Sequence, residues 1–155
     1  MWHQRPERRH RGNNWIPLFT TQLPIIQALT IGVNHRVKVF ADPTLAEATV
    51  RIVNEIGESQ RTPIHACCVM PDHVHVVVEP MNVELGQWVS RFKNEVQREA
   101  RRLGRPTKFW QRSFWPRRVR SERDLALKIA YVLNNPVRAG LVSEWRDYPF
   151  SCPKD

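Results

Sequence analysis

Two histidines placed two residues apart are the clearest chemical feature of the sequence. His73 and His75 lie in the apolar run HVHVVV. In a strand, residues two apart project from the same face, so both imidazoles point one way while Val74 points into the other layer. Two imidazoles on one face can bind one divalent metal ion. The alternative is that they are two exposed strand histidines that bind no metal, because the same spacing also occurs by chance. His65 either joins this pair or lines the neighbouring strand, and the other three histidines are expected at the surface: His3, His10 and His35.

A tyrosine on the last predicted helix is the second chemical candidate. The chain has two tyrosines, Tyr131 and Tyr148, and Asn135 follows the first by four residues, which places both on one helical face. A phenol is a nucleophile when a nearby cation or metal activates it, because its ordinary pKa is about 10. A packing tyrosine beside an asparagine that ends a helix is the more ordinary explanation of the same spacing.

The positive charge is concentrated rather than spread along the chain. There are 24 Lys and Arg residues against 15 Asp and Glu, a net charge of +9. Most of the excess lies in 91–120, and a smaller part lies in the first dozen residues. Clustered charge of this kind indicates a polyanionic partner, most often nucleic acid, although a solvated basic face is the alternative. The candidate DNA-binding residues are Arg91, Lys93, Arg98, Arg101, Arg102, Arg105, Lys108, Arg112, Arg117, Arg118 and Arg120.

Several classes of protein and site are not indicated. No apolar run approaches the roughly 20 residues of a membrane-spanning helix, and no secretory signal is visible. No glycine-rich nucleotide-binding motif or serine-nucleophile motif occurs. The three cysteines, Cys67, Cys68 and Cys152, are odd in number and include an adjacent pair. We therefore expect buried strand cysteines without a disulfide framework, no zinc site and a reducing, cytoplasmic setting.

The first half of the chain predicts strands around one helix. Residues 27–40 carry β-branched stretches on both sides of Asn34-His35, as strands do. Asp42-Pro43 predicts the start of a helix that ends near Gly57. Two further strands, 64–70 and 73–78, are separated by a turn at Pro71-Asp72.

The second half predicts two helices with a strand between them. An apolar stripe runs from Leu85 to Leu103, and Gly104 suits the position after a helix end. Arg117–Arg120 is a strand candidate. Ser121 and Asp124 resemble a capping box for a helix that is expected to end near Asn134, because Pro136 disfavours helical geometry before it.

These elements predict an α+β sandwich, with helices packed on a mainly antiparallel sheet of four to five strands. We expect a basic, flexible arm at 1–26 and a single domain at 27–155.

Three segments together resemble a known family, the single-tyrosine HUH transposases, and are especially similar to the REP-associated tyrosine transposases. CVMPDHVHVVVEP (68–80) resembles the HUH segment. FWQRSFWPRRVRSERDLALKIAYVLNNPVRAGLV (109–142) is similar to the tyrosine-helix region, with its Tyr-x-x-x-Asn-Pro-Val-x-x-Gly pattern. EWRDYPFS (144–151) resembles the Trp-Pro-Phe-Ser-like segment that follows. The chain stops soon afterwards, so no C-terminal extension is expected.

The resemblance implies the ferredoxin-like HUH endonuclease fold and a specific chemistry. It implies a metal-dependent single-stranded DNA endonuclease and strand transferase that cleaves hairpin-associated DNA. The positions that bind Mg²⁺ or Mn²⁺ in the family are occupied here by His73, His75 and Asn135. Tyr131 occupies the nucleophile position, which implies a 5′-phosphotyrosine intermediate and a free 3′-OH.

The resemblance also implies single-stranded or hairpin DNA as partner, a monomer or homodimer, no membrane, and a cytoplasmic, nucleoid-associated setting. Trp110, Phe114 and Trp115 either stack on unpaired bases or pack in the core. The rival function is a non-catalytic DNA- or RNA-binding regulator on the same fold. A small-molecule metallohydrolase is a more distant alternative, since it leaves the basic window without a role.

Overall fold

A computed structural model of the chain describes residues 25–81 and 83–154, together with the backbone of 10–11. Of the predicted basic arm, His10–Arg11 forms a two-residue strand that pairs antiparallel with 113–114. The rest of 1–24 lies outside the described residues, so the flexible arm stays a prediction.

One antiparallel sheet organises the described residues. Its order is β1-β5-β2-β4-β3-β6, with four long strands in the middle and a two-residue strand at each edge. The predicted α+β fold is therefore confirmed, with six strands rather than four to five. The strands are β1 (His10–Arg11), β2 (Gln27–Gly32), β3 (Ile64–Met70), β4 (His73–Val78), β5 (Ser113–Arg118) and β6 (Ser151–Cys152).

Three helices cover the two faces of this sheet. The helices α1 (Pro43–Ser59) and α2 (Leu85–Arg102) pack together on one face, and α3 (Glu122–Arg138) packs on the other. Strand β4 shows the division, because Val74 and Val76 belong to the core under α1 and α2, whereas Val77 belongs to the core under α3. By the alternation of a strand, both predicted metal-binding histidines lie on the α3 face. No helix among the described residues has the length and apolar character to cross a bilayer.

The predicted helix starts are confirmed by their caps. The Asp42 side chain accepts a hydrogen bond from the Thr44 backbone N–H at 3.1 Å, as a helix cap does. At the start of α3, the Ser121 hydroxyl accepts from the Asp124 N–H at 3.0 Å. The Asp124 carboxylate accepts from the Arg120 N–H, so its shorter side chain caps one residue earlier than a capping-box glutamate.

The end of α3 differs from the prediction, because the helix continues through Pro136 to Arg138. The reason lies in Gly140, which adopts φ +74° and closes the helix. The N–H of Leu141 donates to the Pro136 carbonyl at 2.9 Å, and that of Gly140 donates to the Val137 carbonyl at 3.0 Å. This is a Schellman motif. Its hydrogen bonds stabilise one more turn than the proline rule allows.

The expected strand material at 36–40 is also not a strand. Two short 3₁₀ turns, Asn34–Arg36 and Val39–Ala41, occupy this segment. His35 and Arg36 have positive φ, and the Phe40 N–H donates to the Pro71 carbonyl at 3.0 Å while its ring is buried. Of the apolar residues in this segment, Phe40 enters the core from a turn, Val39 is half-buried and Val37 is exposed, so the β-branched pattern does not reflect a buried strand here. Strand β5 likewise lies earlier than predicted, at Ser113–Arg118.

The prediction that the cysteines form no disulfide is wrong. Cys67 on β3 and Cys152 on β6 face each other across the sheet, with Cα atoms 5.0 Å apart, and are joined by a disulfide. The two residues are 85 positions apart, so only the strand pairing brings them together. Cys68 is a buried free thiol, as expected for a strand cysteine.

Candidate active site

The site is centred on two imidazoles on the α3 face of β4. The Nε2 atoms of His73 and His75 are 3.0 Å apart, and the rings meet edge to face. His75 sits directly opposite Thr30 of β2 and Cys68 of β3. The structure therefore brings the predicted pair together, with the two Nε2 atoms close enough to bind one cation.

The Nδ1 atom of each ring is held by its own partner. His73 Nδ1 lies 2.6 Å from a carboxylate oxygen of Asp72, and His75 Nδ1 lies 3.2 Å from the Thr30 hydroxyl. A carboxylate only accepts, so His73 donates from Nδ1, and its Nε2 is the atom that would bind a metal. A carboxylate behind a histidine is the usual support of a metal-binding imidazole, since it fixes the ring and raises its basicity.

Burial keeps His75 in its metal-binding form. The residue is 8% exposed, and burial lowers its pKa to about 3, with smaller contributions from the positive charges of His73 and Arg138. His75 is therefore neutral at ordinary pH, and a neutral imidazole is the form that binds a metal.

Tyr131, on α3, lies next to the histidine pair. Its ring lies 6.0 Å from the His75 ring, centroid to centroid, and nearly perpendicular to it. The Arg138 guanidinium carbon lies 4.4 Å from the centre of the tyrosine ring. Tyr148 is placed differently, because its hydroxyl donates to the Val69 carbonyl at 2.5 Å and burial raises its pKa. Of the two tyrosines, Tyr131 is the one beside the histidine pair.

Asn135 carries an orphaned polar group. Its Nδ2 atom is buried and has no hydrogen-bond partner among the described residues. A buried amide without a partner is costly, which points to a partner that binds there. The described residues contain no cluster of three His, Cys, Asp or Glu side chains that could hold a metal ion. A third ligand from the protein would therefore be of another type, and an amide oxygen, exposed by rotating this side chain, fits that role.

The groove beside Tyr131 contains residues that the sequence did not single out. It is lined by Thr30, Trp115, Arg117, Lys128 and Tyr131, among others. Lys128 and Arg138 lie three residues before and seven after Tyr131, so their helical spacing could have shown that they share a face with the tyrosine. This spacing did not single them out, because many other cations of the chain are spaced in the same way.

Most of the predicted DNA-binding residues lie in the other layer. The six cations from Arg91 to Arg105 lie on α2 or at its end, on the far side of the sheet from the histidines. Four of them make internal contacts: Lys93 donates to the Gln111 carbonyl, Arg98 pairs with Glu95, Arg102 pairs with Glu99, and Arg105 pairs with Asp42. Burial also lowers the pKa of Lys93. Arg117 is the predicted cation that borders the tyrosine.

The structure shows where the aromatic residues of 110–115 lie and which partner His65 has. Trp110 and Phe114 are in the core under α1 and α2, whereas Trp115 is half-buried on the α3 side. His65 pairs with Glu79 at 2.9 Å instead of joining the histidine pair.

The fold and site define a class of protein in which a histidine pair on a strand and a tyrosine on a helix meet on one face of an antiparallel sheet. The family model described as "Transposase IS200 like" matches residues 25–132, which include both histidines and Tyr131. The chain belongs to this transposase family.

Two relatives identify the branch that the sequence resembles. The chain is 31% identical over 98 residues to a REP-associated tyrosine transposase candidate from Haemophilus influenzae, covering 56% of each protein. It is 28% identical over 88 residues to a REP-associated tyrosine transposase from Escherichia coli, covering 57% of this chain and 52% of that protein. The chain thus spans about half the length of these curated relatives.

Solved structures show the same fold. A REP-associated tyrosine transposase bound to a REP hairpin aligns with a TM-score of 0.65 and 21% identity, over 83% of this chain and 76% of that one. A transposase candidate from Deinococcus radiodurans aligns with a TM-score of 0.54 and 20% identity, over 81% and 96% of the two chains.

Proposed function

We propose that the chain is a metal-dependent endonuclease and strand transferase that cleaves single-stranded, hairpin-associated DNA through Tyr131. The observation that carries this proposal is the convergence of three groups. The His73 and His75 Nε2 atoms are 3.0 Å apart, and the Tyr131 ring is in edge contact with the His75 ring. A pure binding module has no use for a histidine pair that is supported by a carboxylate and lies beside a phenol.

The residues present fit a divalent metal ion. His73, His75 and Asn135 would hold Mg²⁺ or Mn²⁺, since imidazole and amide ligands accept either. When bound, such an ion polarises a phosphoryl oxygen and neutralises the charge that develops during displacement. Within the described part of the chain, the Asn135 Nδ2 has no partner that fixes the amide, so the side chain is able to rotate and place its oxygen, the atom that would bind the ion, at that position.

Tyr131 would supply the nucleophile. Its phenol oxygen attacks the scissile phosphorus and loses its proton, a bond forms between this oxygen and phosphorus, and the bond from phosphorus to the 3′ oxygen breaks. The products are a 5′-phosphotyrosine and a free 3′-OH, which takes up a proton. The phosphotyrosine conserves the bond energy, so the reverse attack by a 3′-OH rejoins DNA without ATP. Arg138, over the tyrosine ring, places a positive charge where the phosphate would approach.

Hairpin-associated DNA is proposed as the substrate because the chain is positively charged and because its fold matches that of a protein solved with a REP hairpin. The net charge is +9, and a protein of the same fold has been solved with a REP hairpin bound. A regulator that binds DNA or RNA without cutting it is the second candidate, favoured by the cations of α2 that lie away from the histidines.

The proposal is tested by trapping the intermediate. Single-stranded hairpin oligonucleotides are incubated with the full chain in two parallel reactions, one with Mn²⁺ and one with EDTA. The products of both are separated on a denaturing gel. We expect a metal-dependent covalent adduct that is lost in Tyr131→Phe and retained in Tyr148→Phe, the matched control. An adduct that persists in Tyr131→Phe would show that another residue is the nucleophile. Binding without an adduct in either Mg²⁺ or Mn²⁺ would favour the regulator.

A further inference from the structure

The groove beside Tyr131 has the composition of a nucleotide-binding site. Its floor is a row across three strands, in which Thr30 of β2 lies directly between His75 of β4 and Trp115 of β5. The next row places Arg117 opposite Ala28. Helix α3 forms the roof through Lys128 and Tyr131. An aromatic face, two cations and small apolar surface are what proteins use to hold unpaired nucleotides.

The groove is continuous with the histidine pair. His75 and Tyr131 line both, so a strand whose phosphate lies on the histidines has a neighbouring nucleotide at the groove. Trp115 is two strands from His75, which corresponds to about 10 Å at the usual strand spacing. Along a stacked strand, nucleotides are spaced by roughly 3.4 Å or more, so the groove is within one to three nucleotides of the cut.

Lys128 shows that the positive charge of the groove is held in place. It is 7% exposed, and its ammonium group pairs with the Asp124 carboxylate at 2.7 Å, one turn earlier on α3. A buried lysine is rare in proteins, because taking the charge out of water is costly. Lys128 and Arg117 both line the groove, so two cationic side chains border it, one from α3 and one from β5.

We propose that this groove binds one unpaired nucleotide flanking the scissile phosphate, with its base on the Trp115 ring and its phosphate between Lys128 and Arg117. The inference rests on the proposed function, because the cut site fixes which nucleotide is meant. It assigns specificity to the α3 side of the sheet rather than to the basic helix α2.

The test is a double-mutant cycle between the Trp115 ring and the DNA base. A single abasic site is stepped through the oligonucleotide, and Kd is measured by fluorescence anisotropy in EDTA, with Tyr131→Phe in every protein so that nothing is cut. One abasic position next to the cut should weaken binding roughly 5- to 150-fold, the range for loss of one stacked base. In Trp115→Ala the same abasic site should cause no further loss of affinity. In Trp115→Phe, which keeps an aromatic ring, the abasic site should again weaken binding, but less than in the parent protein.

Matched variants separate stacking from damage to the fold. Trp145→Ala removes a half-buried tryptophan of the 3₁₀ turn Trp145–Asp147, outside the groove, and should leave the abasic profile unchanged. Lys128→Gln and Arg117→Gln should weaken binding to all oligonucleotides, whereas Arg51→Gln on α1 should not. Thermal unfolding of each variant verifies that it is folded.

The outcomes are distinguishable from those of the proposed function. An abasic profile that is equally steep in Trp115→Ala and in the parent protein would overturn the groove assignment, even if the adduct forms. Failure to form any adduct would overturn the proposed reaction. The abasic scan covers the whole oligonucleotide, so it still reports whether one base couples to Trp115.

Discussion

At the level of single residues, the partners behind the two imidazoles determine what the pair can do. Asp72 precedes His73 in the chain and binds its Nδ1, while Thr30 approaches His75 from the neighbouring strand. Both rings are therefore fixed before any ligand arrives, which lowers the entropy cost of binding. A similar carboxylate–histidine pair, His65 with Glu79, lies elsewhere in the sheet and provides an internal comparison.

The first prediction concerns this carboxylate. Asp72→Asn replaces the carboxylate that holds the His73 ring with a neutral amide, which is a weaker acceptor, so affinity for Mn²⁺ should fall about 10- to 100-fold. Isothermal titration with Mn²⁺ measures the effect. Glu79→Gln, which changes the other pair, should leave the affinity unchanged. Equal losses in the two variants would contradict a specific role for Asp72.

The second prediction is a pH dependence of stability that comes from His75. Its folded pKa, about 3, is below its unfolded value of about 6.5. The unfolded chain therefore takes up a proton that the folded chain refuses between these values, and stability falls as the pH falls through that window. In EDTA, the loss from pH 7 to pH 4.5 due to this residue should be about 2–3 kcal/mol.

Urea unfolding at the two pH values measures this loss. His75→Gln should reduce the pH dependence by that amount, and His35→Asn, at an exposed residue with positive φ, should not. A pH dependence that is the same in His75→Gln and in the wild type would show that other groups cause it.

At the level of elements, α2 and α3 end in the same way on opposite sides of the sheet. Gly104 and Gly140 each follow a helix with φ near +70°, and each closes a Schellman motif. The motif after α3 is the one that extends the helix past Pro136 to Arg138, and thereby places Arg138 over the Tyr131 ring.

The third prediction uses this symmetry. Gly140→Ala and Gly104→Ala each force a side chain into the left-handed region, although neither would meet a neighbouring atom, so each should cost about 1 kcal/mol of unfolding free energy. Because the end of α3 positions Arg138, only Gly140→Ala should also slow adduct formation by Tyr131. The measurements are urea unfolding and single-turnover adduct formation. Equal slowing in both variants would show that general loss of stability is the cause.

The sequence predicts local features of the fold well and distant ones poorly. Strand alternation places His73 and His75 on one face, and the Asp42 and Ser121 caps locate two helix starts, because these signals span only a few residues. The end of α3 was missed because two local rules conflict there, and the glycine rule prevails over the proline rule. The Cys67–Cys152 bond and the groove around Trp115 depend on strand register, which no local pattern contains.

At the level of the whole molecule, the sheet separates two positively charged layers. The α3 layer carries the histidines, Tyr131 and the groove, whereas the exposed cations of α2, such as Arg91 and Arg101, lie beyond the sheet. A nucleic acid that contacts both layers must be long enough to pass around an edge of the domain. We therefore expect charge on α2 to add affinity for long partners without contacting the phosphate that the proposed reaction cleaves.

The fourth prediction follows from this separation. Arg91→Gln combined with Arg101→Gln should leave the affinity for a short single-stranded oligonucleotide unchanged. For a long hairpin substrate, the slope of log Kd against log salt should decrease by about 0.7–0.9 for each phosphate that the variant no longer neutralises. Binding titrations at several NaCl concentrations measure both. A weaker affinity for the short oligonucleotide would mean that the α2 cations reach the site.

The alternation of β4 has a consequence for how such proteins diverge. The same strand presents Val74 and Val76 to one core while its histidines face the other side, where the His75 ring is buried against Tyr131 and His73 is more exposed. His73 does not line the groove, whereas His75 does, so a substitution at His73 spares both the groove and the core. We therefore expect a single substitution at His73 to end cleavage and to leave a protein that still binds DNA.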